Sequence, residues 1–116
     1  MKQKDTLGQF EALVLTAVVA CGDNAYSMVI HEKTIELARR QIRLAAVYIT
    51  LERMMDKKYL KSWLGDPTPE RGGKAKRFYR LTAAGQNVLE DATTTGKTLY
   101  DTYWESMKWK LARKTR

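Results

Sequence analysis

Between residues 59 and 80 the chain reads YLKSWLGDPTPERGGKAKRFYR, a stretch rich in side chains that can grip a polyanion. From Lys57 to Arg80 the chain carries Lys57, Lys58, Lys61, Arg71, Lys74, Lys76, Arg77 and Arg80 against only two acids, Asp66 and Glu70. A local excess of this kind makes a field that a phosphate backbone can feel, which an evenly spread charge does not. Two β-like runs, 59–64 and 76–81, flank a loop carrying Pro67, Pro69, Gly72 and Gly73. Such a loop cannot join the strands as a tight turn, so the stretch predicts a hairpin with a projecting basic tip. A flexible cationic tip suits a phosphate backbone or a narrow groove.

Other chemistry is sparse. Cys21 is the only cysteine and His31 the only histidine, so neither a disulfide nor a multi-cysteine metal site can form within one chain. No cofactor or metal is expected, and a chain without disulfides suits the reducing cytoplasm. Ser27 and His31 stand four residues apart, like a nucleophile and its base, but no orienting acid or oxyanion hole accompanies them, so an enzyme is not expected.

The elements that would position the basic hairpin can be read from periodicity. The chain has 116 residues, with 21 Lys+Arg against 13 Asp+Glu, a net charge of +8 and a pI near 9.7, which bounds it to one small basic domain. Leu7, Phe10, Leu13, Val14, Ala17, Val18 and Cys21 follow helical spacing and predict a first helix over about 6–21, ended by Gly22. Lys2 and Lys4 before an apolar run that closes on Val18-Val19-Ala20-Cys21 imitate a lipoprotein leader, but the run is short and Asp5 and Glu11 interrupt it. No run reaches the length of a membrane span. Asp23 or Asn24 is expected to cap a second helix, about 25–38, that buries Tyr26, Val29, Ile30 and Leu37. A polar link, 39–43, leads to a third helix, about 44–57, with Val47, Leu51 and Met54 on its buried face.

A helix followed by a basic hairpin is the order of a winged-helix DNA-binding unit. On the third helix the face opposite the core carries Ala45, Ala46, Ile49, Glu52, Arg53 and Asp56, with Tyr48 at the border. Arg53 could pair bidentately with guanine, Ala45, Ala46 and Ile49 offer apolar contact matched to thymine methyl groups, and Glu52 could accept from cytosine or merely repel phosphate. Arg43 and Tyr48 can reach phosphates. Thr82 is expected to cap a long last helix from Ala83 towards Lys114, weakest at residues 93–96. Its apolar stripe, Val88, Ala92, Leu99, Tyr103, Met107 and Leu111, outruns one small core and predicts a homodimer interface. Tyr100, Trp104 and Trp109, with Phe10 from the first helix, are expected to line a cleft between subunits for a flat aromatic effector.

Four stretches stand out together: Leu7-Gly8-Gln9-Phe10-Glu11, Ala25-Tyr26-Ser27, the run from Val47 to Met54, and above all Gly72-Gly73-Lys74-Ala75-Lys76-Arg77-Phe78-Tyr79-Arg80-Leu81-Thr82-Ala83-Ala84-Gly85. On these the sequence resembles, over residues 7–89, the PadR family of bacterial transcriptional regulators. It implies a mainly α fold with a small β-hairpin. A winged helix-turn-helix domain (1–82) would be followed by a C-terminal dimerisation helix (83–116), as in the smaller branch of the family. It also implies repression by operator binding, often relieved by a ligand. Carried over, it gives Tyr48 a phosphate contact and Arg71, Lys74 and Lys76 the wing contacts. Leu44-Ala45-Ala46 and Ile49 depart from the family's usual turn-forming residues and proline around that tyrosine, which bears on the bases read. The expected function is a regulator binding palindromic double-stranded DNA as a homodimer. A winged helix that binds RNA or only protein is the alternative.

Overall fold

The computed structural model describes residues 5–66 and 75–114. Its elements follow the order α1 (Gln9–Cys21), a 3-10 turn (Gly22–Asn24), α2 (Ser27–Ala38), α3 (Leu44–Asp56), β1 (Leu60–Leu64), β2 (Arg77–Leu81) and α4 (Ala83–Lys114). It is a mainly α winged helix with an antiparallel hairpin and a long last helix.

α1 is the central element. Val14, Leu15, Ala17 and Val18 are buried on it, and α2, α3, β2 and α4 all pack against it. Its start is fixed by Glu11, whose Oε1 accepts the Gly8 N–H at 2.8 Å, satisfying one orphan donor of the first turn. Its end is Gly22, at φ 58°, a left-handed value that a glycine adopts freely. The expected caps of α2, Asp23 and Asn24, instead lie in the 3-10 turn, and the N-cap is Tyr26, in extended conformation. Tyr26 is extended because the chain pairs there with the wing: it bridges Phe78, and Tyr79 N–H donates to the Ala25 carbonyl at 2.9 Å. The buried face of α2 is also set differently from expectation. Ser27, Ile30 and Thr34 are buried, Tyr26 and Val29 only half-buried, and Leu37 is 42% exposed. Thr34 is tolerated in the core because its hydroxyl donates to the Ile30 carbonyl at 2.7 Å.

α2 stops at Arg39, left-handed at φ 56°, and the link to α3 is tied down by His31, whose Nε2 hydrogen-bonds the Ile42 carbonyl. α3 buries Val47, Thr50, Leu51 and Met54, as its periodicity predicts apart from Thr50. In the hairpin Leu60 pairs Leu81, Ser62 pairs Tyr79 and Leu64 pairs Arg77. Leu60, Tyr79 and Leu81 therefore turn to the core, while Lys61, Trp63, Phe78 and Arg80 turn outward.

α4 is anchored at its start. Thr82 Oγ1 accepts the Gly85 N–H at 3.0 Å and donates to the Lys58 carbonyl at 2.6 Å, so one hydroxyl caps the helix and ties it to the end of α3. A Cβ on Gly85 would lie 2.1 Å from the Tyr59 carbonyl oxygen, so only glycine permits this approach. Gly85, Val88 and Leu89 are buried, so the first two turns of α4 pack with the rest of the chain. The helix runs unbroken through residues 93–96, where Thr93 and Thr98 return their hydroxyls to the carbonyls of Glu90 and Thr94. Its 32 residues reach about 48 Å, and the molecule extends 68 Å along its longest axis. Among the described residues no helix is long and apolar enough to cross a membrane.

Candidate nucleic-acid interface

α3 stands on the surface with Ala45, Tyr48, Ile49, Glu52, Arg53 and Asp56 exposed. Tyr48 is 42% and Ile49 60% exposed, large values for side chains that gain by burial. Two of the expected base-reading residues are placed otherwise. Ala46 is half-buried and packs against the core, so it leaves the outer face to Ala45 and Ile49. Arg53 turns sideways to α1, where its guanidinium meets Glu11 Oε2 at 3.4 Å. Glu11 is engaged because one of its oxygens is already held by Gly8 and the other faces α3.

With Arg53 drawn aside, the middle of the α3 face holds no cation. Cations stand at its two margins. Arg43, extended at the N-cap of α3, is exposed, and so are Arg39 and Arg40 in the same turn. Sequence reasoning passed over Arg39 and Arg40 as a polar link. Their signal was their number: three arginines within five residues directly before a candidate reading helix. At the other margin Lys76 and Arg77 face α3 across an open cleft of about 680 Å³, lined also by Tyr26, Tyr48, Glu52, Asp56 and Tyr79. Lys76 Nζ sits 4.3 Å from the centre of the Tyr26 ring, which holds the ammonium beside the cleft. Arg77 donates to Ser62 Oγ at 2.9 Å. Arg71 and Lys74, the other expected wing contacts, lie outside the described residues.

The wing base is stiffened by rings. Phe78 stacks on Trp63 at 6.0 Å and takes the Tyr26 edge at 5.8 Å, and the Gly65 N–H donates to the Lys76 carbonyl at 2.7 Å. Tyr79 anchors the inner face. Burial pushes its phenol above the usual tyrosine range, and the hydrogen bond with Ser27 and the nearby Arg77 act against that rise. Ser27 thus serves Tyr79 and His31 serves Ile42, and the two do not form a nucleophile–base pair. On the far side, the Tyr59 hydroxyl donates to Asp5, which also meets Lys57 at 3.7 Å. The bond from Tyr59 is the main reason the Asp5 carboxyl is held below its usual range.

The expected dimer and effector residues divide. Leu99, Tyr103 and Leu111 are exposed, Ala92 and Met107 half-exposed. Val88 is 7% exposed within the single chain, so it serves the chain's own packing and has little surface left for a partner. Tyr100 and Tyr103 both set edge contacts on Trp104, at 6.3 and 5.1 Å. Phe10 is not part of this group, because it packs against the core from α1. Nor is Trp109: at about 100° per residue it falls on the side of α4 opposite Met107 and Leu111, and it is 68% exposed.

No family model matches the chain, and no curated protein matches it. Solved structures match its fold. A PadR family transcription regulator from hypervirulent Clostridium difficile is 21% identical with a TM-score of 0.69, over 86% of this chain and 99% of that one. A PadR-like transcriptional regulator from Bacillus cereus is 18% identical with a TM-score of 0.70, over 84% and 89%. BpsR of Bordetella bronchiseptica, whose DNA binding is regulated by 6-hydroxynicotinic acid, is 18% identical with a TM-score of 0.65, over 87% and 67%. The fold is PadR-like.

Proposed function

We propose that this chain is a transcription regulator that binds double-stranded DNA as a homodimer and represses by occupying a palindromic operator. The observation that carries the reading is the arrangement around α3. An exposed helix face lies between arginines at one margin and wing cations at the other, and that is the charge layout of a helix seated between two phosphate backbones. Neighbours of the same fold that are transcription regulators support it. The dimer rests on the exposed stripe of α4, since apolar surface of this extent marks an interface. Tyr100, Tyr103 and Trp104 give that interface a wall on which a planar aromatic effector would stack, and the ligand-regulated Bordetella neighbour favours such control.

The test is a titration of labelled duplex DNA at several salt concentrations, with structured RNA as competitor. Binding should fall linearly on a log–log salt plot, and RNA should compete poorly. Efficient competition by RNA would favour the RNA-binding alternative, and salt-independent or absent DNA binding would favour a protein-interaction module. Quenching of tryptophan fluorescence by planar phenolic acids checks the effector.

A further inference from the structure

We infer that the Ala45–Ile49 pair on α3 reads sequence by packing against thymine methyl groups, so that the preferred duplex carries thymines under the first two turns of the helix. This rests on the DNA-binding reading above. In a helix that enters a major groove, the N-terminal turns lie closest to the base edges. Here those turns present Ala45 and Ile49, one turn apart on the exposed face, with Ile49 60% exposed. The residues that could have read guanine are absent from this stretch. Arg53 is two turns further on and paired with Glu11, Ala46 is turned to the core, and Arg43 precedes the helix at its margin.

The carboxylates lie further along the helix. Glu52 and Asp56 continue the exposed face; as carboxylates they only accept hydrogen bonds, so they repel phosphate and the acceptor-only edge of guanine and could accept only from cytosine or adenine amino groups. Affinity therefore comes from the flanking cations, and selection under the first two turns from the apolar pair. Four residues of helix advance about 6 Å, close to two base-pair steps of about 3.4 Å. Ala45 and Ile49 thus address methyl groups on thymines that are neighbours or next but one. No hydrogen-bonding group of either side chain competes for this contact. Its strength is that of burying a methyl group, about fourfold in affinity for each.

Deoxyuridine provides the test, because it removes the methyl and leaves every hydrogen-bonding group of thymine in place. A duplex selected by the wild-type protein from a random library would be resynthesised with deoxyuridine at each thymine in turn. The wild type should lose about fourfold at one or two positions in each half-site. Ile49→Ala should bind the unmodified duplex several-fold more weakly and be insensitive to deoxyuridine at the position it vacates. Ile49 is exposed, so the variant should fold, and the wild-type deoxyuridine scan does not depend on it. Equal binding of every deoxyuridine duplex by the wild type would overturn the inference while leaving DNA binding intact, as would an unchanged deoxyuridine penalty in Ile49→Ala. Failure to select any duplex would overturn both the inference and the function on which it rests.

Discussion

Arg53 and Glu11 lie 42 residues apart in sequence, and their pairing redirects a side chain that by type and helix face looks like a base reader. The pair is partly exposed, so Arg53→Ala should lower stability by no more than about 1 kcal/mol, and less at high salt. It should leave base preference unchanged. Relaxed preference at one base position, measured by competition with single-base variants of the operator, would return Arg53 to the reading face. Tyr79 carries a pH dependence of known sign. Its folded-state pKa lies above the ordinary 10.0, so its contribution to stability is whole below about pH 10 and is lost as pH rises through the folded value. Tyr79→Phe should cost about 1 kcal/mol near neutral pH, because Ser27 loses its partner. It should also flatten the alkaline loss, as urea unfolding at neutral and alkaline pH would show. The sequence disclosed the types of these residues but not their partners. A contact between α1 and α3 depends on tertiary packing that no local spacing encodes.

Elements were legible where one strong local signal governed them. Gly22, the buried stripe of α3 and the capping Thr82 fixed boundaries to within a few residues. α2 was misread at its start because the bridge from Tyr26 to Phe78 and the bond from Tyr79 to Ala25 hold the chain extended through Tyr26. Those are non-local bonds, and they outweigh the capping preference of Asp23 and Asn24. The junction of α3, hairpin and α4 depends on Gly85. Gly85→Ala would drive a methyl into the Tyr59 backbone oxygen, which cannot swing aside like a side-chain end. It should destabilise the domain by about 1–3 kcal/mol or more. Gly96→Ala should do the opposite. Nothing lies within 4 Å of its missing Cβ in the single chain, so the gain in helix propensity, about 1 kcal/mol, should raise the thermal midpoint. A fall in dimer affinity accompanying that rise would show that a partner's helix crosses α4 at this glycine.

At the scale of the molecule, α4 joins two functions. Its first two turns belong to the core, and the rest projects with Leu99, Tyr100, Tyr103 and Trp104 each at least half exposed. A dimer should therefore be lost by truncation after Thr94, while the domain keeps its fold and binds DNA poorly; sedimentation that still finds a dimer would refute this. The length of the helix and its stripe were visible in the sequence, because a 3.6-residue period needs no tertiary information. The packing of Phe10, Val88 and Trp109 within the single chain was not, since each depends on which side of its helix meets the domain. Homodimeric reading of DNA is tested most directly by selecting bound duplexes from a random library. Enrichment of an inverted repeat, with thymine-bearing half-sites about one helical turn apart, is the expected result. A product without twofold symmetry, or no enrichment over the starting pool, would contradict it.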